Sequence, residues 1–454
     1  MDPVPAGLQQ VLNEVKKGLV QDGKVYAEHL PTIMPTTTIG EYAQALFGDE
    51  KFFKNDFMPE LIQRIIFTSV ENRIYNNPLE SLKDGEMPLG GLTQRIQINK
   101  IKGRQFDVND FAGLLAKYPV DIKVVYNKIN WDHQYPASIT YDNIRDAFTS
   151  WGTLYNFTDS IAQMMYNSAY MDDFALTKYL VSNAYRNNQV IMQTITAVTD
   201  EASAKNLVRA ARSLYSAMKF PSIKYNSWNL NGGYGDPVTT WTNPEDIVFF
   251  IRADLMATVD VDVLARAFNL SSTEFLGRVY EVDDFDIYNM ETGELEFDGS
   301  AIQAAIGDRR WFDIRQQMRR YNQFFNANNE VWQLYLHVRE SFNTLPFANF
   351  VLLVTQTPTV KVTGLNYNDT TEIAMTAGES EGLDINVVPV TATSTITYTI
   401  KKGSSATTDI TLTPSNNGRH VQLDATASAN GTYTLTASAD SVSTTLTVKV
   451  TAAA

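Results

Sequence analysis

The sequence contains no cysteine, which excludes disulfide bonds, thiol nucleophiles and thiolate metal sites together. It begins without the cationic stretch and apolar core of a secretory signal, so we predict no export by that route. Its longest apolar runs, 247–251 and 347–353, fall far short of the ~20 residues that a membrane-spanning helix needs. We therefore expect no membrane association and interpret both runs as buried strands.

Basic residues are scarce, since 37 Lys and Arg stand against 51 Asp and Glu among 454 residues, a net charge of −14. An acidic surface repels phosphate backbones, which disfavours binding of nucleic acid through a basic face. The four histidines, His29, His133, His337 and His420, show neither metal-binding nor triad spacing. We predict no catalytic, cofactor-binding or metal-binding residue, and no cofactor.

Four segments contain residue types that can bind ligands. The carboxylates of 260–262 and 281–286 could bind a divalent cation, but they lack EF-hand spacing, and solvated faces explain them as well. The glycines of 232–235 are not followed by the residues of a phosphate-binding loop, which favours a surface loop. The arginine-rich, aromatic segment 308–320 could bind single strands. The acidic net charge favours a subunit interface facing acidic neighbours instead.

A composition boundary lies near residues 357–358. Every Phe and Trp precedes residue 351, whereas the last hundred residues are rich in Thr, Ser, Ala and Val. Runs such as 395–400 alternate strictly, and polar turns separate them at short intervals. Period two with β-branched residues predicts an antiparallel sandwich, so we interpret 358–454 as an all-β immunoglobulin-like domain.

The first 357 residues mix helical and strand patterns. Apolar residues at helical spacing predict an N-terminal amphipathic helix over 8–19 and a second helix over 57–70. Two long alternating strands within 78–135 predict an extended hairpin, which would bury its apolar side on a neighbouring subunit. An uninterrupted helix is predicted over 153–185, with Asp142 or Thr158 as its N-cap.

Several patches, taken in order, resemble the major capsid proteins of phi-29-type podoviruses. They are NPLESLKDGEMPLG (77–90), FTSWG (148–152), the helix 161–181 containing YNSA, the segment 253–277 containing DVDVLARAFN, WF (311–312) and FAN (347–349). A C-terminal immunoglobulin-like domain also occurs at this place in the family. The resemblance implies an α+β subunit of the Hong Kong 97-type fold, followed by the all-β domain.

The resemblance also implies a layout and a role. The layout is an N-terminal arm at 1–76, an E-loop at about 84–135, a spine helix at about 153–185, an axial domain at about 196–320, a return to the peripheral domain at 320–357, and the immunoglobulin-like domain at 358–454. The role is a structural one, without enzymatic activity. Such subunits form the pentamers and hexamers of an icosahedral or prolate head in the virion.

The same resemblance implies the partners. The subunit would assemble on a scaffolding protein in the host bacterial cytoplasm, with a portal protein at one vertex, and enclose double-stranded DNA without sequence-specific binding. Two alternatives stay open at this point. One is a secreted hydrolase or adhesin with a C-terminal immunoglobulin-like carbohydrate-binding module. The other is a different virion component, such as a tail or portal protein.

Overall fold

The computed structural model divides into two compact units with separate apolar cores. The first unit comprises Met1–Ile96, Val124–Thr177 and Phe312–Thr344, and the second comprises Gln97–Lys123, Lys178–Trp311 and Leu345–Ala454. The residues that the structure describes are 4–61, 64, 75–88, 90–101, 103–104, 116–232, 237–256, 278–368 and 370–452.

The first 354 residues contain both helices and strands. The helices are α1 (Ala6–Gln21), α2 (Ile39–Phe47), α3 (Glu50–Phe52, continued by a π-helical turn Phe53–Phe57), α4 (Tyr141–Ala147), α5 (Trp151–Arg186), α6 (Glu201–Met218) and α7 (Ala253–Met256). The first thirteen strands are β1 (Lys83–Glu86), β2 (Leu92–Ile98), β3 (Ile122–Lys128), β4 (Trp131–Thr140), β5 (Ile191–Thr194), β6 (Ile247–Arg252), β7 (Val279–Val282), β8 (Ile287–Tyr288), β9 (Leu295–Phe297), β10 (Ile302–Asp308), β11 (Phe312–Asn326), β12 (Val331–Thr344) and β13 (Phe350–Val354).

The first unit has a four-stranded sheet in the order β1-β11-β12-β4. Strand β1 runs parallel to β11, and the other neighbours are antiparallel. Alternate residues of β12, namely Trp332, Leu334, Leu336 and Val338, are buried against the N-terminal helices. The predicted helix over 8–19 is confirmed as α1, because its periodic apolar residues all lie in this core.

The longest helix, α5, is uninterrupted from Trp151 to Arg186, as the absence of internal Pro and Gly after Thr153 predicts. The predicted N-cap is wrong. Asp142 lies in the first turn of α4, and Thr158 lies inside α5. The two hydroxyls of Ser150 and Thr153 instead accept each other's backbone N–H, at 3.1 and 3.0 Å. Hydroxyl side chains thus satisfy N–H groups that a helix start leaves without partners.

The second unit contains a five-stranded sheet in the order β5-β13-β10-β6-β7. All residues of β10 and β13 are buried, and so are 247–251 of β6, which confirms the prediction of buried strands for both apolar runs. Helix α6 packs against this sheet through one apolar face. That face contains Leu207, Ala211, Leu214 and Met218.

The last hundred residues form strands around an apolar core of their own. These strands are β14 (Gly364–Asn366), β15 (Glu372–Thr376), β16 (Ser380–Asp384), β17 (Asn386–Val388), β18 (Thr397–Lys402), β19 (Ser405–Ala406), β20 (Ile410–Ser415), β21 (His420–Ala425), β22 (Gly431–Ala439) and β23 (Val442–Thr451). They make one sheet in the order β15-β23-β22-β18-β19, another in the order β16-β21-β20, and the pair β14-β17. Alternate residues such as Leu423, Leu435 and Val448 fill the shared core.

Some predictions fall on residues outside the described ranges. They are the acidic segment 260–262, most of the glycine loop 232–235, and most of the second half of the predicted helix 57–70. Within the described ranges, no helix is both long and apolar enough to span a membrane. In the same ranges, no three His, Asp or Glu side chains converge in a way that could hold a metal ion.

Candidate assembly surfaces

Strands β2 and β3 pair with each other, and the described residues that contain them, 92–101 and 116–128, are here called the hairpin. The amide of Gln94 donates to the hydroxyl of Tyr126 at 3.4 Å, and the hydroxyl of Thr93 donates to the carbonyl of Asn127 at 3.5 Å. Further along, the backbone N–H of Asn99 donates to the carbonyl of Asp121 at 3.0 Å. These contacts set the register, so that even-numbered residues of both strands share one face.

The hairpin exposes its apolar face and buries part of its polar face, which is the reverse of the usual arrangement. Its odd-numbered face has polar residues, and Thr93 and Asn127 there are buried. Its even-numbered face is exposed and apolar, with Ile96 56% and Ile98 60% exposed. The exposed large apolar residues between 92 and 126 are Leu92, Ile96, Ile98, Ile101, Tyr118, Val120, Ile122 and Tyr126. A strand pair normally packs its apolar face against the protein core. The exposed apolar face of the hairpin therefore indicates a surface for contact with another protein surface.

A buried carboxylate anchors the base of the hairpin to the sheet of the first unit. Asp313 on β11 is fully buried and accepts hydrogen bonds from Arg95 of β2, from Asn127 of β3 at 2.5 Å and from Arg315 at 3.1 Å. Burial alone would raise the pKa of Asp313, but these donors outweigh it and lower the pKa below its usual value. Asp84 adds a second carboxylate that contacts both arginines.

A second cluster of charges lies among β1, α5, β11 and β12. The ammonium of Lys83 lies 2.7 Å from Asp173 Oδ2 and 3.4 Å from Glu340 Oε2. Arg319 contacts the same carboxylates at 3.0 and 3.2 Å. Both carboxylates are completely buried. Burial first, and then the neighbouring charge of Asp173, raise the pKa of Glu340 to about 7.

The helix α5 contributes a third feature, two exposed methionines on one side. Met164 and Met171 are seven positions apart on it and are both exposed. Residues at this spacing lie on one side of a helix. Methionine side chains adapt to irregular partners, which suits a surface that meets another protein.

The arginine-rich segment 308–320 pairs in part with its own chain, and its role at a subunit interface stays a prediction. The sequence favours an interface with acidic neighbouring subunits, but Arg310, Arg315 and Arg319 form ion pairs with carboxylates of their own chain. The partners of Arg319, namely Asp173 and Glu340, are distant in sequence, so the local pattern could not reveal them. Their burial explains why Arg319 is only 13% exposed, whereas Arg310, which pairs with the nearby Asp308, is 59% exposed.

The histidines take structural positions. His337 contacts Asp132 at 2.6 Å and His420 contacts Asp384 at 2.7 Å, in each case across neighbouring strands. His133 stacks on Trp131, with ring centroids 3.5 Å apart. In the described part of the chain, no observation contradicts the predicted absence of a histidine metal cluster. That absence remains a prediction.

Comparison with known protein families distinguishes between the functions that the sequence leaves open. The model of a family described as Phi29-like phage major capsid protein matches residues 30–354. The chain belongs to this family. It is therefore a major capsid protein of a tailed phage, a structural component of the virion. The match ends beside the composition boundary, so the last hundred residues of this capsid protein lie outside it.

Individual relatives agree with the family. The major capsid protein of Bacillus phage PZA is 30% identical over 303 residues, which are 66% of this chain and 64% of the relative. The major capsid protein of Bacillus phage B103 is 28% identical over 349 residues, 76% of this chain and 72% of the relative. The chain thus spans slightly less than two thirds of the PZA protein's own length.

A solved structure shows that the fold is shared as well. A chain in the capsid structure of Staphylococcus phage Andhra superposes on this capsid protein with a TM-score of 0.51 and 14% identity. The superposition covers 63% of this chain and 86% of that chain. The mixed α+β part of the molecule therefore has the fold of a phage capsid subunit.

Proposed function

We propose that this protein builds the shell of a tailed-phage head by associating with copies of itself into hexamers and pentamers. The observation that carries the proposal is the inverted hairpin, whose polar face is anchored within its own chain while its apolar face is exposed. Covering one large apolar side chain completely contributes roughly 1.5–3 kcal/mol. Such contacts, repeated at every subunit, are strong enough to close a shell although each is modest.

The parts of the subunit then take definite roles. We assign the hairpin to the E-loop, about 84–135, and α5 to the spine helix, about 153–185. Residues 1–76 are the N-terminal arm, 196–320 the axial domain, and 320–357 the return to the peripheral domain. The exposed face of α5 with Met164 and Met171 supports contact with a neighbouring subunit's hairpin, since both surfaces are apolar.

The partners follow from the same role. We propose a scaffolding protein during assembly, a portal protein at one vertex and double-stranded DNA as the enclosed cargo. The net charge of −14 supports enclosure without gripping, because an acidic wall repels the phosphates that must slide along it. We propose no enzymatic turnover and no membrane partner. The hydrolase or adhesin alternative has no support among the relatives, which are capsid proteins.

Electron microscopy tests the shell proposal directly. The full-length protein is expressed alone and together with the scaffolding protein of its genome, and both preparations are examined in negative stain. We expect closed shells or capsomer-sized rings in at least the second preparation. Dispersed monomers in both would contradict self-assembly. Rings of one fixed size with no shells would point to a portal instead.

We further propose that 358–454 is an immunoglobulin-like domain that decorates the particle. Its core is formed by residues of this segment alone, and its two main sheets carry alternating buried residues on facing sides, which supports a sandwich. An outward position is consistent with a role in touching a host-surface sugar. The family match to residues 30–354 leaves this segment out of the shared fold.

Truncation after Thr357 separates the two parts. Because no residue of this core lies before 360, we expect the shortened chain to assemble with unchanged efficiency into particles that lack an outer density. Sedimentation and cryo-electron microscopy of both particles measure this. Loss of assembly on truncation would show that the segment belongs to the shell rather than to its surface.

A further inference from the structure

The cluster of Lys83, Asp173, Arg319 and Glu340 contains more charged groups than a single ion pair. A largely buried amine lies within 3.4 Å of two fully buried carboxylates, one on α5 and one on β12. The three side chains are 11%, 0% and 0% exposed, so little water reaches them. We propose that Lys83 and Asp173 join in an intrachain amide bond, with Glu340 as the proton-transferring group.

The geometry places the reacting groups side by side. Lys83 Nζ is 2.7 Å from Asp173 Oδ2, so the amine lies next to the carboxyl group that it must attack. Holding two reactants at contact distance replaces a bimolecular encounter with an intramolecular step. The enclosing elements β1, α5, β11 and β12 keep both side chains in this position.

Glu340 is suited to move the proton. It lies 3.4 Å from Lys83 Nζ, and burial together with the nearby charge of Asp173 raises its pKa to about 7. A carboxyl group that titrates near neutrality can both accept and donate a proton under physiological conditions. Glu340 therefore takes a proton from the attacking nitrogen and delivers one to the departing oxygen.

The step balances without any further reactant. The Nζ–Cγ bond forms, one Cγ–Oδ bond of Asp173 breaks, and the oxygen leaves with two protons from the ammonium as one water molecule. Nothing is oxidised or reduced. The charges balance before and after, because two cations face two carboxylates at the start and Arg319 faces Glu340 at the end. The product also removes two buried charges, each of which is costly to desolvate.

Lys178 is a matched comparison within the same chain. It is also buried, at 5% exposure, and also contacts two carboxylates, Asp283 at 2.9 Å and Asp284 at 2.8 Å. Both of those carboxylates are partly exposed, at 60% and 34%. Water can solvate them and supports the charged form. We therefore expect Lys178 to remain an ordinary ion pair.

The mass of the intact chain tests the proposal. The full-length protein is purified, incubated at neutral pH, denatured and measured by electrospray mass spectrometry. We expect most of the chain to be lighter than its sequence mass by one water, and a tryptic digest to contain one joined species with both Lys83 and Asp173. Lys83→Arg keeps the charge and should restore the sequence mass, whereas Lys178→Arg should keep the loss.

Two further measurements separate the steps. Glu340→Gln should fold, as judged by its circular dichroism and melting temperature, yet retain the full sequence mass. The joined chain contains a closed loop between residues 90 apart, so it should migrate faster than Lys83→Arg on a denaturing gel. A wild-type chain that keeps its sequence mass after prolonged incubation overturns the proposal. A water loss confined to an unjoined peptide, such as cyclisation at Asp84-Gly85, overturns it equally.

Discussion

Shell assembly is expected to fail when Ile96 and Ile98 are both replaced by aspartate, while the free subunit keeps its stability. The two side chains are exposed in the subunit, so their loss removes little packing there. In the shell they would be covered, and a buried, unpaired carboxylate costs several kcal/mol. With two such charges at every interface, assembly should fall below detection by sedimentation and negative stain. The melting temperature of the subunit should change by less than about 2 °C.

The control for this variant is Val388→Asp. Val388 is 56% exposed, like Ile96, but it lies in the C-terminal domain outside the family match. We expect normal shells from it. Normal shells from the Ile96/Ile98 variant would show that the hairpin's apolar face is not an interface, and the central argument for its role would fail. Failure of both variants would indicate a general loss of solubility instead.

Local patterns were sufficient for several elements of this fold. The helices α1 and α5 and the buried strands β6 and β13 follow from the spacing of apolar residues, which depends only on neighbours in sequence. The hairpin also follows from alternation. Alternation does not predict that the apolar face is the exposed one, because the pattern is the same whichever face is buried. The anchoring contact between Arg95 and Asp313, 218 residues apart, decides which face turns inward.

The buried charge cluster could not be predicted from local sequence patterns either, because its members are distant in sequence. Lys83 and Glu340 are 257 residues apart, and nothing near either predicts the other. One signal was available, because Asp313, Arg315 and Arg319 are charged residues of a strand that is buried at its start. A charge within a partly buried strand indicates a polar partner. The identity of that partner depends on tertiary structure, so the sequence suggested a neighbouring subunit where the chain uses its own carboxylates.

The second large effect is expected for Asp313→Asn. The change keeps the size of the side chain but removes the buried carboxylate that Arg95 and Arg315 share, leaving them only the half-exposed carboxylate of Asp84. Removing one partner from a buried ion pair costs about 3–5 kcal/mol, and the lower end applies because both arginines retain some solvent exposure. Chemical denaturation of the subunit measures this. Hydrogen exchange should show the loss first in β2 and β3, and assembly should weaken because the hairpin is no longer held in place.

The matched control is Asp132→Asn in the same sheet. Asp132 also contacts an arginine, Arg339 at 2.8 Å, but it is 45% exposed, so its loss should cost no more than about 1 kcal/mol. The pH dependence gives an independent check. The folded-state pKa of Asp313 is lowered, so its stabilisation is complete above the unfolded value of about 4 and is lost as the pH falls through the folded value. The stability gap between wild type and Asp313→Asn should therefore be constant from pH 8 to about 5 and narrow below about 4. A gap that stays constant into strong acid would show that the carboxylate charge of Asp313 does not hold the hairpin base.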